Sequence, residues 1–238
     1  MASVYDRADI YDLLEDDRSK KVFSSILIHR MEHDLSLIHN IYDVNQYFGN
    51  DVIGSADGSF VDCGAYTGDT LKRFVQQVGG GGYHYYAFEA EKRNYDLIAA
   101  YCKENKITDI DIYNIAVSDR NKTIYFQQDY NNKKVGGKIS DHLNENTVEI
   151  QGDSIDRLLS GIKIDMITMD IEGAEISALN GAAKCISLFQ PRLAISAYHS
   201  IEHLWEIPLL IKNLCCDYKL YYRHHQWNMH DTVCYAKI

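Results

Sequence analysis

The stretch over residues 60–70, FVDCGAYTGDT, constrains the fold of this chain more than any other. Its apolar start predicts a buried strand that ends at Asp62, and Gly64 and Gly68 predict a tight turn into a helix. The next apolar stretch ends at Glu89, 21 residues beyond Gly68. A carboxylate at that spacing commonly holds the two hydroxyls of a ribose. These features predict a Rossmann-like half-domain that binds a nucleoside-bearing cofactor.

The charge of this loop separates two kinds of cofactor. A dinucleotide carries an anionic pyrophosphate, which Gly-x-Gly-x-x-Gly and bare helix amides normally bind. This loop lacks the central glycine and is flanked by Asp62 and Asp69, which repel phosphate. S-adenosylmethionine (SAM) carries a sulfonium and an ammonium, which carboxylates attract. The loop therefore favours SAM, while an ordinary strand-turn-helix with solvated aspartates stays open from this motif alone.

Charge and cysteine usage limit the class of protein. The net charge of −10 argues against sequence-independent binding to nucleic acid or to anionic membranes. Apolar runs are too short for a membrane span, and residues 1–6 do not resemble a secretory signal. The six cysteines show no Cys-x-x-Cys spacing. These features predict a cytoplasmic protein with reduced, buried cysteines.

Residues 1–50 are predicted to be helical and to precede the cofactor unit. Apolar residues recur at near-helical spacing at Tyr11, Leu14, Val22, Ile26 and Met31. Ser19 is a candidate cap for the second helix. A packing role is the first expectation for this segment. A cap over the active site and a homodimer face are the alternatives.

From Ser59 onwards, strand and helix patterns alternate, which predicts a parallel α/β sheet. Strands are expected at 60–62, 83–88, 111–117, 164–170 and 192–198. Helices are expected at 71–78, 93–106, 175–188 and 201–214. Closing strands at 218–225 and 232–238 predict an antiparallel hairpin at the sheet edge. A second hairpin, 122–128 with 147–152, interrupts the alternation.

A polar loop is expected at 129–146, between the strands of that second hairpin. It carries Lys133, Lys134 and Lys138, which could bind an anionic group of a substrate. A solvated excursion is the interpretation that the composition favours, because clusters of charge are common on surfaces.

Three carboxylates follow one central strand: Asp170, Glu172 and Glu175. The dipole of the next helix explains Glu172 and Glu175, because acidic residues are favoured at a helix N-terminus. It explains Asp170 less well, since the carboxyl end of a central parallel strand faces the crevice where ligands bind.

The next predicted strand ends in Tyr198 and His199. His199 is a candidate general base because imidazole titrates near neutral pH. Asp170 would then orient His199 or the acceptor, and Asp170 as the base is the second possibility. A structural histidine bonded to a carboxylate is the alternative. No metal site is predicted from His199 and His203, which lack zinc-motif order. Asp170, Glu172 and His199 could still gather an oxygen-preferring cation.

Together these blocks resemble the FkbM family of SAM-dependent methyltransferases. The matching blocks are 60–70, 88–90, 116–119, 164–175, 193–208 and 222–224. The resemblance implies a Rossmann-like class I methyltransferase fold: a seven-stranded, mostly parallel sheet with an antiparallel last strand and helices on both faces. It divides the chain into an N-terminal helical extension or cap over 1–50 and a methyltransferase domain over 51–238.

The resemblance also implies roles for residues. Those expected to contact SAM are Asp62, Gly64, Ala65, Tyr66, Gly68, Asp69, Glu89, Ala90, Ala116 and Asp170, with Glu89 on the ribose and Ala90 on the adenine edge. Asp170 also faces the methyl acceptor in this scheme. The expected substrate contacts are Glu172, Tyr198, Trp205, Lys133 and Lys134.

Members of the family mostly methylate hydroxyls of sugars, polyketides and related small molecules. The implied activity is therefore O-methylation of a small molecule such as a sugar, a nucleotide-sugar or a glycan precursor, within carbohydrate biosynthesis. An NAD-linked oxidoreductase and a non-catalytic SAM-binding protein are the alternatives. The 129–146 loop departs from the pattern of the family.

Overall fold

The computed structural model of this chain describes residues 10–54, 57–78, 82–127, 138–140 and 147–238. The helices are α1 (Ile10–Leu13), α2 (Asp17–Glu32), α3 (Leu35–His39), α4 (Asp69–Val78), α5 (Lys92–Asn105), α6 (Ile155–Leu158), α7 (Glu175–Gly181), α8 (Ala183–Phe189) and α9 (His203–Leu214). The strands are β1 (Ser59–Cys63), β2 (His84–Phe88), β3 (Ile110–Tyr113), β4 (Ala116–Val117), β5 (Lys122–Gln127), β6 (Lys138–Ser140), β7 (Thr147–Asp153), β8 (Met166–Met169), β9 (Arg192–Ser196), β10 (Lys219–His224) and β11 (Thr232–Lys237).

The main sheet has seven strands in the order β10-β11-β9-β8-β1-β2-β3. The pairs β1–β2, β1–β8, β2–β3 and β8–β9 are parallel, whereas β11 is antiparallel to both β9 and β10. The predicted class I methyltransferase fold, including its antiparallel last strand, is confirmed. The closing hairpin also lies where the sequence predicts it, with β10 at the sheet edge.

Each face of the sheet has its own core, because side chains alternate along a strand. Phe60 of β1 packs with Leu71 and Phe74 of α4 on one face. The next residue, Val61, belongs to the opposite core, where α2, α7, α8 and α9 pack. All four residues of β8 are buried, as expected for a strand covered by helices on both sides.

A second sheet, in the order β4-β7-β5-β6, lies beside the main one. The sequence predicts a single strand over 111–117, but β3 ends at Tyr113, and Ala116–Val117 pairs with β7 instead. The side-chain amide of Asn114 donates to the carbonyls of Glu89 and Ala90 at 2.9 and 3.0 Å, which holds the chain out of the main sheet.

The hairpin of β5 and β7 is confirmed. The expected loop at 129–146 is wrong in part, because β6 falls within it and pairs with β5. Lys133 and Lys134 lie outside the described residues, so their expected substrate contacts stay predictions.

The single helix predicted up to residue 188 is two helices, α7 and α8. Asp156, in α6, accepts hydrogen bonds from the backbone amides of Lys184 and Cys185 at 2.9 and 2.8 Å. A side chain from a distant part of the sequence thus caps a new helix N-terminus. Gly181 permits close packing here, since a Cβ at this position would lie 2.0 Å from the carbonyl oxygen of Ser118.

The segment before β1 contains α1, α2 and α3 and then an irregular stretch. The sequence predicts Ser19 as the cap of the second helix, but the cap is Asp16, whose side chain accepts from the Ser19 amide at 2.6 Å. Ser19 lies inside α2 and accepts from the amide of Tyr222 in β10. The segment runs along the edge strand, with isolated bridges from Leu14 to Leu220 and from Tyr42 to His224.

This arrangement covers a sheet edge that would otherwise present unpaired backbone groups. The segment therefore packs on the sheet, and its role as a separate unit ending at residue 50 stays a prediction, as does the homodimer. No helix in the described part of the chain is long and apolar enough to cross a membrane. All six cysteines are free, and four of them are buried.

Candidate active site

A cavity of about 330 Å³ opens at the carboxyl ends of β1, β2 and β8. The sequence-predicted residues that line it are Asp62, Gly64, Tyr66, Asp69, Glu89, Ala90, Ala116, Asp170, Glu172 and Tyr198. Ala65, Gly68, His199 and Trp205 do not line it. Ala65 is buried in the core beneath the loop, and Gly68 turns the chain into α4 with a φ of +78°.

The loop after β1 passes directly against the end of β8. Gly64 has a φ of +85°, and a Cβ at this position would lie 2.0 Å from the carbonyl oxygen of Asp170. Only glycine tolerates both the conformation and the contact. The amides of Gly64 and Ala65 also donate to the carbonyl of Phe88, so three strand ends are tied together here.

Asp62 is a buried carboxylate at the floor of the cavity. It accepts hydrogen bonds from the hydroxyls of Tyr85 and Thr168 at 2.5 and 2.8 Å. Burial nevertheless raises the pKa of Asp62 to about 7, and the nearby carboxylates of Asp69 and Asp170 add to the rise. A cationic group of a ligand at this place would stabilise the ionised form.

Glu89 fixes two turns that border the cavity. One of its oxygens accepts from the Tyr66 amide at 2.8 Å, and the other accepts from the Glu91 amide at 2.7 Å. Burial raises the pKa of Glu89 to about 7 in spite of these bonds. Asn114, which holds the carbonyls of Glu89 and Ala90, was missed from the sequence, because a lone asparagine after a strand carries no pattern.

Asp170, which follows β8, also lines the cavity. Its Oδ1 accepts from the hydroxyl of Tyr198 at 2.9 Å, and its Oδ2 lies 3.5 Å from the hydroxyl of Tyr47. Burial raises the pKa of Asp170 to about 6, with His199 acting in the opposite direction. Tyr47 comes from the N-terminal segment, which therefore contributes to the cavity wall. Gln226 and Asp231, from the turn of the closing hairpin, complete this side.

His199 lies behind Asp170, contrary to its expected place in the crevice. Only 8% of its side chain is exposed. Its Nε2 lies 3.4 Å from Asp170 Oδ1 and 3.6 Å from Glu172 Oε2, and its Nδ1 lies 3.0 Å from Glu175 Oε1. Burial lowers the pKa of His199, but the three carboxylates outweigh it and hold the pKa above its usual value. His199 thus lies outside the cavity lining, and its role as the base stays a prediction.

The model of the methyltransferase FkbM domain matches residues 62–228. The chain belongs to the FkbM methyltransferase family. The resemblance predicted from the sequence is confirmed, and this family membership replaces the NAD-linked oxidoreductase alternative. No curated protein sequence matches the chain.

A similar crystal structure is that of methyltransferase FkbM from Methylobacillus flagellatus KT, with 22% identity and a TM-score of 0.77. The match covers 97% of this chain and 57% of that one, so this FkbM-family chain spans less than two thirds of the relative. A SAM-dependent methyltransferase from Aquifex aeolicus is 12% identical, with a TM-score of 0.45 over 98% of this chain and 99% of that one. Fibrillarin from Aeropyrum pernix, in complex with SAM, is 10% identical, with a TM-score of 0.45 over 75% and 66%.

Proposed function

We propose that this FkbM-family protein transfers a methyl group from SAM to a hydroxyl of an uncharged small molecule such as a sugar. The observation that carries the proposal is that one cavity is lined by two sets of side chains: Asp62, Asp69 and Glu89, and Asp170, Tyr198 and Tyr47. We call the part lined by the first set the first half, or cofactor half, and the part lined by the second set the second half, or acceptor half.

The first half has the chemistry that SAM requires. The carboxylates of Asp62 and Asp69 suit the ammonium and sulfonium groups of SAM, since opposite charges attract in a partly buried site. Glu89 stands at the end of β2, where a carboxylate commonly binds the ribose hydroxyls. Ala90 and Ala116 leave room beside it for the adenine ring.

The second half favours a neutral acceptor over an anionic one. Asp170, Glu172 and Asp231 bring negative charge to this wall, and none of the lining residues in the described ranges is lysine or arginine. A phosphate would be repelled by these carboxylates. Carboxylates and tyrosine hydroxyls bind sugar hydroxyls well, so a free sugar or polyol suits the wall better than a nucleotide-sugar.

Methyl transfer is an in-line displacement, in which the acceptor oxygen attacks the methyl carbon and the sulfur leaves. Holding the two reactants in line supplies much of the rate. The hydroxyl loses its proton as the new bond forms, and Asp170 is a carboxylate of the cavity wall that can take it. Asp170 therefore takes the role of base, and His199 holds Asp170 from behind.

Calorimetric titration separates this function from its rivals. SAM and S-adenosylhomocysteine should each bind with 1:1 stoichiometry, whereas NAD should give no heat, because its pyrophosphate meets Asp62 and Asp69. Tight NAD binding without binding of either sulfur ligand would refute the proposal. Binding without turnover of any of a panel of sugars and polyols would favour the non-catalytic SAM-binding protein.

The affinity for SAM should depend on pH through Glu89. The pKa of Glu89 is about 7, so the carboxyl is ionised above pH 7 and accepts two hydroxyl hydrogen bonds, while below pH 7 it is protonated and accepts fewer. Affinity should fall by up to about tenfold between pH 8 and pH 6. Titration in two buffers of different ionisation enthalpy counts the protons released at pH 7.

Glu89→Gln provides the control for this measurement. The variant should bind SAM more weakly, by about 1.5–3 kcal/mol, and should release fewer protons on binding. An unchanged proton count together with unchanged affinity would remove Glu89 from the cofactor site.

A further inference from the structure

Unsatisfied polar atoms gather behind the acceptor half of the cavity. Glu175 Oε2, both ring nitrogens of His199 and Nδ1 of His203 are buried and have no aligned hydrogen-bond partner among the described residues. Glu175 has no exposed side-chain surface, and 8% of the His199 side chain is exposed. Buried polar groups are normally satisfied, because leaving one without a partner is costly. Their nearest polar neighbours are one another, with His203 Nδ1 3.4 Å from Glu175 Oε2 and His199 Nδ1 3.0 Å from Glu175 Oε1. The cluster is therefore a candidate site for a ligand.

Asp170, Glu175 and His199 converge as a ligand set would. Each offers one nitrogen or oxygen atom, and these three atoms all lie within 4.8 Å of one another. His199 Nε2 lies 3.4 Å from Asp170 Oδ1. Two ligands that share one ion at bond lengths of about 2.1 Å are about 3.0–3.4 Å apart for angles between octahedral and tetrahedral values. The Asp170–His199 distance matches two donors on a single cation, and the Glu175 oxygen lies within 4.8 Å of both.

Three separate elements fix these side chains. Asp170 ends β8, Glu175 begins α7 and His199 follows β9. Oε1 of Glu175 accepts from the Ile171 amide at 3.0 Å and from the Gly173 amide at 3.4 Å, so the turn between β8 and α7 wraps around this carboxylate. The site is therefore held by backbone as well as by packing, which suits a preorganised ligand set.

We propose that Asp170, Glu175 and His199 bind one divalent first-row transition cation, such as Zn²⁺ or Mn²⁺. Two carboxylates and one imidazole are a mixed oxygen and nitrogen set, which suits these ions better than Mg²⁺ or Ca²⁺. Oδ1 of Asp170 would bind the cation on the side of His199, and Oδ2 would stay free of the cation to act as the base. Cation binding stands without methyl transfer, whereas a role for the cation in holding Asp170 in place rests on the proposed function.

A closed network of ion pairs is the competing explanation. In that network, a protonated His199 would be shared by Asp170, Glu172 and Glu175. One positive charge would then face three negative charges, and His203 would add only a neutral or weakly basic neighbour, because burial lowers its pKa. A divalent cation balances the carboxylates better and also supplies a partner for one ring nitrogen of His199.

The test uses the full chain without an affinity tag, treated with EDTA and then titrated with ZnCl₂, MnCl₂ and MgCl₂. We expect Zn²⁺ or Mn²⁺ to bind with 1:1 stoichiometry and more tightly than Mg²⁺. Glu175→Gln and His199→Gln should each weaken that binding by about tenfold or more. Asp231→Asn removes a carboxylate that acts on Asp170 only through its charge, so it should weaken binding much less than either of these variants.

The proposal is overturned if neither Zn²⁺ nor Mn²⁺ binds with 1:1 stoichiometry, if Mg²⁺ binds more tightly than both, or if Asp231→Asn weakens binding as much as the other two variants do. Mn²⁺-induced broadening of histidine ring NMR signals in the parent tests the site without any variant. The signals of His199 should broaden first, and sparing of His199 contradicts the site. Binding of S-adenosylhomocysteine, measured by titration into the same samples, tests the proposed function separately from cation binding.

Discussion

Replacing Asp170 with asparagine should lower kcat by about 10²–10⁴, which corresponds to about 3–5 kcal/mol of transition-state stabilisation. Asp170 lines the acceptor half of the cavity, and an asparagine side chain there could neither take a proton nor carry the negative charge that favours its departure. The size of asparagine is nearly the same, so the cavity keeps its shape. Single-turnover kinetics with SAM and a sugar acceptor measure the chemical step directly.

Two comparisons separate this role from a structural one. The affinity for S-adenosylhomocysteine should stay within about threefold, because the cofactor half of the cavity is unchanged. Tyr198→Phe, which removes one hydrogen bond to Asp170 Oδ1, should lower kcat by only about tenfold. A kcat for Asp170→Asn close to that of the parent, or a larger loss in Tyr198→Phe, would contradict the assignment of Asp170 as base.

The fold could be predicted where local pattern and tertiary structure agree. Strands β1 and β8 are buried on both faces, so their apolar runs are visible in the sequence. The predicted elements were wrong where a side chain from a distant part of the sequence determines the backbone conformation. Asp156 begins a new helix 28 residues further along, and Asn114 breaks a strand by binding two carbonyls of another loop. Periodicity carries no information about either contact.

In the candidate site too, residues that depend on local sequence features could be predicted and residues that depend on tertiary packing could not. Gly64, Glu89 and Asp170 could be identified because the turn, the spacing and the strand ends are local features. The orientation of the His199 side chain could not be predicted, because the alternation of side chains along a strand stops where the strand ends. Tyr47 reaches the cavity from a segment whose packing depends on the edge strand, and no motif marks it.

Arg223→Met should give the largest loss of stability among single substitutions at the N-terminal segment. Arg223 lies in β10 with 1% of its side chain exposed. It donates to Asp16 and Asp51, at 2.7 Å each, and to Ser19 Oγ at 2.9 Å. Burial lowers the pKa of Arg223, but Asp51 and Asp16 outweigh it and hold the pKa above its usual value. One guanidinium thus joins the N-terminal segment to the edge of the sheet.

The expected cost is about 3 kcal/mol in the free energy of unfolding. Removing one partner of a buried pair costs about 3–5 kcal/mol, and the lower end applies because Asp16 and Asp51 are partly exposed. Urea unfolding measures this value. Arg18→Met is the matched control, because Arg18 also contacts Asp51 but is 42% exposed, and it should cost less than about 1 kcal/mol.

The same substitution should affect catalysis through Tyr47, which follows the anchored part of the segment and lies against Asp170. Loosening the segment moves the Tyr47 hydroxyl away, so Arg223→Met should raise the KM for the acceptor while the affinity for S-adenosylhomocysteine changes little. Hydrogen exchange should also accelerate in α2 before it does in β8. Equal costs for Arg223→Met and Arg18→Met, with no change in acceptor KM, would show that the buried guanidinium does not hold the segment in place.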